Sequence, residues 1–516
     1  MKKNSSKLTY QQEIGSVVSH LRAEKGLTQA ELAKALGTSQ PTIYRIENGL
    51  QNVSLNMVRK LSKTLGSPIL SVNTSVSQSL YIEGGKELHG EVIVNTSKNA
   101  AVGLLCASLL NSGKTTLRHL ARIEEVFRII EVLESIGVKC RWVNRHRDLE
   151  IIPPRELKLH NLDIAAARRT RSIIMFLGPL LHRYKKFKLP YAGGCSLGVR
   201  TVEPHLRALS NFGLEVDGRS ESGFYLATVN NPKTRNPRIV LTERGDTVTE
   251  NILMAAALHS GTTTIVGASP NYMVQDVCFF LQSLGVEIGG IGTTTLTVKG
   301  KTEIDEEISY SPSEDPIEAM SFIAAALTTH SEITIRRAPI EFLEVELEIL
   351  KSMDADIRRS KEYPAANGYT RLVDLSIKKA DLIAPSDKIH PMPFPGLNID
   401  NLPFFSVIAA SARGRTLIHD WVFENRAVYT TDLTKLNARV ELLDAHRVYV
   451  EGPTNWRPAE LVAPPALRPA VVLLIAMLAA PGASILRNTY PIDRGYQDFA
   501  ARLRQLGADI APLAGI

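Results

Sequence analysis

Six short segments of this chain share one pattern, and that pattern limits the fold more than any other feature. In each segment a helix-like run ends in Leu-Gly or a similar pair, and a strand-like run follows at once. The segments are "SIGVKC" (135–140), "NFGLEV" (211–216), "SLGVEI" (283–288), "SMDADI" (352–357), "KLNARV" (435–440) and "QLGADI" (505–510). Their spacing of roughly 70 to 80 residues indicates an internally duplicated unit. Because each unit contains helix and strand, the pattern predicts an α/β fold from residue 80 onward.

Composition is typical of a soluble globular protein. Of the 516 residues, 44% are apolar and 22% are charged, an ordinary balance for about three domains. The four cysteines are scattered without a Cys-x-x-Cys pair, which argues against a disulfide framework and a zinc site. The longest apolar run, 470–480, is shorter than the roughly 20 residues that span a bilayer, so we expect a buried helix. No apolar run follows the first lysines, which argues against a signal peptide and predicts a cytoplasmic protein without membrane contact.

Charge is concentrated at the start of the chain. Residues 1–75 contain ten Lys and Arg, four Glu and no Asp, so their net charge of +6 accounts for most of the overall +7. A small basic domain on a nearly neutral body is typical of a nucleic-acid-binding appendage. A basic segment can also be a solvated surface.

Residues 28–49, "TQAELAKALGTSQPTIYRIENG", predict two short helices joined by a turn. Thr28 and Glu31 have the spacing of a capping box, and Gly37 is placed to end the first helix. Ser39 is the expected cap of the second helix, with Pro41 early in it, where proline is tolerated. The apolar residues predicted to face each other are Leu32, Ala33, Leu36, Ile43 and Ile46.

This pattern resembles the helix-turn-helix of the Cro and repressor type over about residues 11–70. The resemblance implies a small all-α DNA-binding domain at 1–70, which binds duplex DNA as a dimer, followed by a serine-rich linker at 71–79. It also implies that the second helix reads base edges with Gln40, Thr42, Tyr44 and Arg45, and that Gln29 and Ser39 contact phosphates. The alternative is a small helical bundle used for oligomerisation.

The segment "LPYAGGCSLGVR", 189–200, places a cysteine behind two glycines. Glycines make a loop mobile, so Cys195 has the setting of a displayed thiol. The alternative is a small buried hydrophobic residue after a turn, which is the common fate of free cysteine.

Five motifs in order resemble the enolpyruvyl transferase family, and within it the members that act on UDP-N-acetylglucosamine. They are "SKNAA" (97–101), "GGCSLGVR" (193–200), "PFPGLNID" (393–400), "FENR" (423–426) and "IDRGY" (492–496). The resemblance covers residues 80–516. It implies an inside-out α/β barrel of six βαβαββ-like repeats, arranged as two globular halves with the active site between them.

The resemblance also implies a reaction and its residues. The reaction transfers the enolpyruvyl group of phosphoenolpyruvate to a hydroxyl of UDP-N-acetylglucosamine and releases phosphate, with no metal or other cofactor. Asp400 would be the base, with a pKa raised by the nearby phosphate, and Cys195 an acid on a closing loop. Asn99, Glu203 and Asp315 match further substrate-binding positions. The cations at anion-binding positions are Lys98, Arg171, Arg200, Arg426, Arg468 and Arg494, and the resemblance implies that Lys98 and Arg494 are also catalytic.

Departures from the family motifs leave the acceptor open. Residues 244–251, "RGDTVTEN", differ from the family's "SVGATEN", which contacts the uridine diphosphate, and Ala466 stands where an Asp often precedes the cleft arginine. Two alternatives follow. The acceptor could be another uridine nucleotide, such as a monophosphate, or the large domain could be an inactive ligand sensor that regulates the DNA-binding domain.

Overall fold

The computed structural model describes residues 15, 18–19, 21–22, 25–51, 53, 55–65, 79–191, 193, 201–218, 223–232 and 234–513. The chain forms two compact units, Met1–Val76 and Ser77–Ile516. Cys195 and Arg200, two of the predicted site residues, lie outside the described residues.

The small unit is helical where it is described. Its helices are Gln29–Leu36, Gln40–Glu47 and Leu55–Leu65. The predicted capping box is confirmed, because the Thr28 hydroxyl accepts from the Glu31 N–H while the Glu31 carboxylate accepts from the Thr28 N–H. Gly37 ends the first helix in the left-handed region, as predicted. The five apolar residues predicted to face each other are all buried.

One cap in the small unit differs from the prediction. Ser39 occupies the N-cap position of Gln40–Glu47, but its hydroxyl makes no bond to a backbone N–H. It pairs instead with the Thr42 hydroxyl at 2.9 Å. The helix therefore begins at the predicted residue with a side chain–side chain bond in place of the cap.

The large unit is a mixed α/β structure, as predicted. Its described strands form six sheets, with parallel and antiparallel neighbours. Three sheets have four described strands, in the order Glu460–Val462, Gly482–Arg487, Ser79–Gly84 and Asp509–Leu513 in the first, Glu287–Gly289, Thr295–Lys299, Thr262–Val266 and Arg238–Val240 in the second, and Ile308–Tyr310, Thr115–Leu117, Asp148–Ile152 and Lys139–Val143 in the third. The fourth sheet has five, in the order Ile357–Arg359, Arg371–Ile377, Glu332–Pro339 and His89–Ile93, with Tyr363–Pro364 beside Arg371–Ile377. The last two sheets have three each, in the order Gly414–His419, Arg447–Gly452 and Arg439–Leu442 in one, and Lys186–Pro190, Phe224–Val229 and Leu214–Asp217 in the other. The finer arrangement as a barrel of six repeats stays a prediction.

Helices pack between and against these sheets. The α-helices are Lys98–Ala107, Glu124–Ser135, Ile164–Arg168, Leu177–Leu180, Glu203–Leu209, Asp246–Ala257, Tyr272–Ser283, Pro316–Thr328, Glu344–Ser352, Leu402–Ser411, Leu467–Ala479, Tyr490–Asp493 and Phe499–Gln505. The 3-10 helices are Ser108–Leu110, Leu159–Asn161, Arg171–Phe176, Ser210–Phe212, Ile340–Phe342 and Ala427–Leu436. The apolar run at 470–480 lies in the buried helix Leu467–Ala479, as predicted. Over the described part of the chain, none of the helices combines the length and the apolar character needed to cross a bilayer.

The six repeated segments have the same backbone geometry. The third residue of each has a positive φ, which turns the chain from a helix into the strand that follows. Glycine occupies this position in four segments, because it adopts positive φ without steric cost. Asp354 and Asn437 occupy it in the other two, and these residue types tolerate the left-handed region better than most. The conformation of the turn is therefore common to all six segments.

Two hydrophobic cores divide the large unit. One is built from residues between 100 and 310 together with Phe342, and the other from residues 82–94 and 317–510. The chain passes between the cores twice, at 95–99 and at 311–316. The two passages touch, because Thr96 and Glu314 form an antiparallel bridge and the Ser97 N–H donates to the Ser313 carbonyl at 2.7 Å. Residues at these passages therefore lie where the two halves meet.

Candidate active site

Asp400 lies between two buried guanidinium groups. Its Oδ2 is 3.4 Å from Nη2 of Arg468 and its Oδ1 is 3.8 Å from Nη1 of Arg426. The two arginines are 6% and 3% exposed, whereas the Asp400 side chain is 30% exposed. Charges held in such a setting are weakly screened by water and salt. The structure thus brings three of the predicted site residues together.

In the free protein the pKa of Asp400 is lowered, whereas the prediction of a raised pKa concerns a site with phosphate bound. Burial raises the pKa of this carboxyl, but Arg468, Arg426 and Lys98 together outweigh it and hold the pKa below its usual value. The prediction assumed that the phosphate of a bound donor is nearby. Without such an anion the surrounding cations dominate, and Asp400 is ionised at neutral pH.

Buried partners fix the two arginines. The Arg426 guanidinium donates to the Asp420 carboxylate and, at 2.7 Å, to the Ile399 carbonyl, next to Asp400. Arg468 occupies the first turn of Leu467–Ala479, and its guanidinium lies 5.2 Å from the centre of the Tyr496 ring. The sequence analysis missed Asp420, since nothing in the motif "FENR" indicates which carboxylate orients its arginine.

Lys98 approaches Asp400 from the half that does not contain Arg426 and Arg468. Its ammonium is 2.9 Å from Oε2 of Glu125, a partner that the sequence analysis missed because nothing links residues 27 positions apart. Burial raises the pKa of Glu125, but Lys98 and Arg494 outweigh it and hold the pKa below its usual value. Lys98 also lowers the pKa of Asp400. Lys98 and Arg494 therefore act electrostatically on carboxylates of the same cleft.

Asp315 ties the two halves together at this point. It is the N-cap of Pro316–Thr328 and accepts from the backbone N–H of Ile317 at 2.8 Å and, at 3.4 Å, from that of Lys98. Burial raises the pKa of its carboxyl, and Arg468 opposes that rise. The observed bonds of Asp315 position the two helix starts, and its predicted contact with substrate stays a prediction.

Asn99 and Arg171 lie in the same half as Lys98. The Asn99 amide donates to the Tyr272 hydroxyl at 3.0 Å. Arg171 is half-buried at the start of Arg171–Phe176, and burial lowers the pKa of its guanidinium. Glu203 is exposed at the first position of Glu203–Leu209. Their predicted contacts with substrate stay predictions.

Two cavities adjoin this cluster. The smaller, of about 140 Å³, is lined by residues that include Lys98, Asn99 and Glu125. The larger, of about 230 Å³, has one wall from 243–244, 246, 269 and 271, and another from 341–342, 344–346, 391–396, 398–399 and 421–422. The altered segment 244–251 faces both, because Asp246 lines both cavities.

The predicted recognition helix of the small unit presents polar side chains. Gln40, Tyr44 and Arg45 are exposed and Thr42 is half-buried. The Gln29 amide donates to the Glu47 carboxylate at 2.7 Å, so this side chain is held by the helix that follows it. Contacts of these residues with DNA stay predictions.

Family models match both units. Residues 82–503 match EPSP synthase (3-phosphoshikimate 1-carboxyvinyltransferase), and residues 19–71 match the helix-turn-helix family. The N-terminal unit is a helix-turn-helix domain of the Cro/repressor type.

Relatives and solved structures agree with these matches. A UDP-N-acetylglucosamine 1-carboxyvinyltransferase of Caldanaerobacter subterraneus is 31% identical over 83% of this chain and 98% of its own. One of Porphyromonas gingivalis is 32% identical over 84% of this chain and 100% of its own. The enolpyruvyl transferase NikO from Streptomyces tendae has the same fold, with a TM-score of 0.73 and 22% identity over 85% of this chain and 100% of its own. An EPSP synthase from Acinetobacter baumannii aligns with a TM-score of 0.66 and 19% identity over 85% of this chain and 100% of its own.

These matches cover most of the large unit, and the site residues at its centre carry the charges that the family's motifs predict. The protein is a transferase, and its chain belongs to the EPSP synthase family of enolpyruvyl (1-carboxyvinyl) transferases.

Proposed function

We propose that this protein transfers the enolpyruvyl group of phosphoenolpyruvate to a hydroxyl of a uridine nucleotide and releases phosphate. The observation that carries the proposal is the position of Asp400, 3.4 and 3.8 Å from two buried guanidinium groups and within the electrostatic influence of Lys98. Phosphoenolpyruvate has a phosphate and a carboxylate, and a group of buried cations suits both.

Asp400 is the base in this proposal. In the free protein the cations keep it ionised, so it is ready to accept a proton. When an anionic donor binds and neutralises those cations, the pKa of Asp400 rises and proton transfer from the acceptor hydroxyl becomes more favourable.

The remaining residues bind the donor and transfer a proton to its vinyl carbon. Lys98, Arg171 and Arg494 complete the cationic surface, with Arg200 added from outside the described residues. The product keeps the vinyl group, so a proton added to the vinyl carbon during attack must later be removed. We assign the delivery of that proton to Cys195, which lies outside the described residues. No metal or other cofactor takes part.

Two acceptors are candidates. UDP-N-acetylglucosamine is the substrate in the names of relatives that are about 31% identical. A uridine nucleotide without a diphosphate is favoured by one observation, the carboxylate of Asp246 in the segment that differs from the family's diphosphate-binding motif. Both acceptors require the same chemistry at Asp400.

The helix-turn-helix domain is proposed to bind duplex DNA as a dimer through Gln40, Thr42, Tyr44 and Arg45, with Gln29 and Ser39 on phosphates. The exposed positions of Gln40, Tyr44 and Arg45 support this role. We further propose that the protein acts in the cytoplasm.

Phosphate release from phosphoenolpyruvate tests the enzyme proposal. The full-length protein should release phosphate only when an acceptor from a panel of uridine nucleotides is present, and mass spectrometry should find the enolpyruvyl ether of that acceptor. Binding of phosphoenolpyruvate without turnover on any acceptor would contradict the proposal and favour a ligand-sensing regulator.

A further inference from the structure

Two carboxyl groups in the altered segment lie on one face of a helix. Asp246 and Glu250 are four residues apart in Asp246–Ala257, a spacing that stacks side chains on the same face. Both line the smaller cavity, which Lys98 and Asn99 also line. Their position places two acids beside the space where donor and acceptor would meet.

Asp246 occupies a place that otherwise suits an anion. It is the first residue of its helix, and the N–H groups at a helix start favour phosphate or carboxylate. Its carboxylate accepts from the Ser269 hydroxyl at 2.5 Å and from the Asn271 amide at 3.3 Å, which are neutral donors. A phosphate brought to this helix start would meet a carboxylate whose described partners carry no positive charge.

Glu250 gives an independent indication of what the cavity accepts. Its side chain is 1% exposed, and its Oε1 has no hydrogen-bond partner. Burial, together with the charges of Asp246 and Asp276, raises the pKa of this carboxyl well above its usual value. A raised pKa favours the neutral form of this carboxyl, so Glu250 gives the cavity a polar group with little negative charge.

The far wall of the larger cavity does not favour a diphosphate. Glu341, Glu344 and Glu346 line it, while Phe342, Phe394 and Trp421 supply apolar surface. Glu341 and Glu344 are paired with Arg371 and Arg359, so these carboxylates are partly neutralised. Arg244 is the cation that this cavity contains among the described residues, and its side chain is exposed.

We propose that Asp246 is a specificity-determining residue that, with Glu250, selects an acceptor presenting hydroxyl or amino hydrogens to the start of this helix in place of a diphosphate. The inference rests on the proposed function, because it concerns the acceptor of that same site. Both carboxyl groups can accept from hydroxyl or amino hydrogens, whereas a diphosphate is repelled by Asp246.

Calorimetric titration of the full-length protein in the presence of phosphoenolpyruvate tests this choice. The probes are uridine, uridine monophosphate and UDP-N-acetylglucosamine. For the wild type we expect uridine or its monophosphate to bind at least ten times more tightly than UDP-N-acetylglucosamine. In Asp246→Asn and Asp246→Ser this ratio should fall at least tenfold, mainly because UDP-N-acetylglucosamine binds more tightly.

Glu348→Gln is the matched control, because it removes a carboxylate from an exposed position on Glu344–Ser352 and should leave the ratio unchanged. The proposal is overturned if the wild type binds UDP-N-acetylglucosamine as tightly as the smaller probes, if it binds none of the three, or if neither Asp246 variant alters the ratio. Titration does not depend on turnover. A protein that shows the expected ratio but releases no phosphate would contradict the proposed reaction and leave the selectivity of Asp246 standing.

Discussion

The two units of this protein hold arginines in opposite settings. In the large unit, Arg426 and Arg468 are buried and held by carboxylates, a carbonyl and an aromatic ring. In the small unit, Arg45 is exposed in the last turn of Gln40–Glu47. Buried cations bind through fixed geometry in a poorly screened space, whereas exposed cations bind by displacing counterions from nucleic acid. Mutation of a charged residue and a change in salt concentration should therefore have different effects on ligand binding by the two units.

Loss of the Asp400 carboxylate should have the largest effect. Asp400→Asn keeps the shape of the side chain but removes the proton acceptor, so we expect turnover to fall by about 10² to 10⁴ while binding of phosphoenolpyruvate is retained. Phosphate release and donor titration measure the two quantities. Asp509→Asn, at an exposed ion pair with Lys86, is the control and should turn over at the wild-type rate. Equal rates for Asp400→Asn and wild type would remove Asp400 from the mechanism.

The salt concentration should affect DNA binding by the small unit much more than donor binding by the large unit. If the helix-turn-helix domain neutralises four phosphates, raising the salt concentration from about 50 to 200 mM should weaken DNA binding by about 10². The KM for phosphoenolpyruvate should change by less than about threefold, since Arg426 and Arg468 are shielded from solvent. Gel-shift titration and phosphate release at the two concentrations provide the comparison. A DNA affinity that does not change with salt concentration would favour the alternative of an oligomerisation bundle.

Arg45→Ala should have a smaller and more selective effect. If Arg45 reads a guanine edge, its loss should cost about 1 to 3 kcal/mol on the cognate site and much less on unrelated DNA. Lys34→Ala removes one charge from an exposed position on the preceding helix and serves as the control. Equal losses on cognate and unrelated DNA would mean that Arg45 contacts only phosphate.

The sequence predicted the features that depend on local chemistry. The repeated turns and the capping box at Thr28 follow from neighbouring residues, so each could be recognised from a short segment. The partners of the site cations could not, because Glu125 and Asp420 reach Lys98 and Arg426 only after folding. The pKa of Asp400 in the free protein could not be predicted for the same reason, since it depends on three cations from separate elements. The sequence shows the departure at 244–251, but the place of Asp246 beside two cavities required the structure.

The contrast between buried and exposed groups also applies to the thiols. Cys106 and Cys278 are buried, which raises the pKa of each thiol, and burial raises the pKa of Cys140 to about 12. Since the thiolate is the reactive form, these three cysteines should react slowly at neutral pH. We expect the epoxide fosfomycin, which resembles phosphoenolpyruvate, to alkylate Cys195 at least ten times faster than the others, and peptide mass spectrometry measures the ratio. Thermal unfolding should then equalise labelling, because it removes the burial that protects the other three. Equal labelling of all four thiols in the folded protein would show that Cys195 is not activated by the cations of the site.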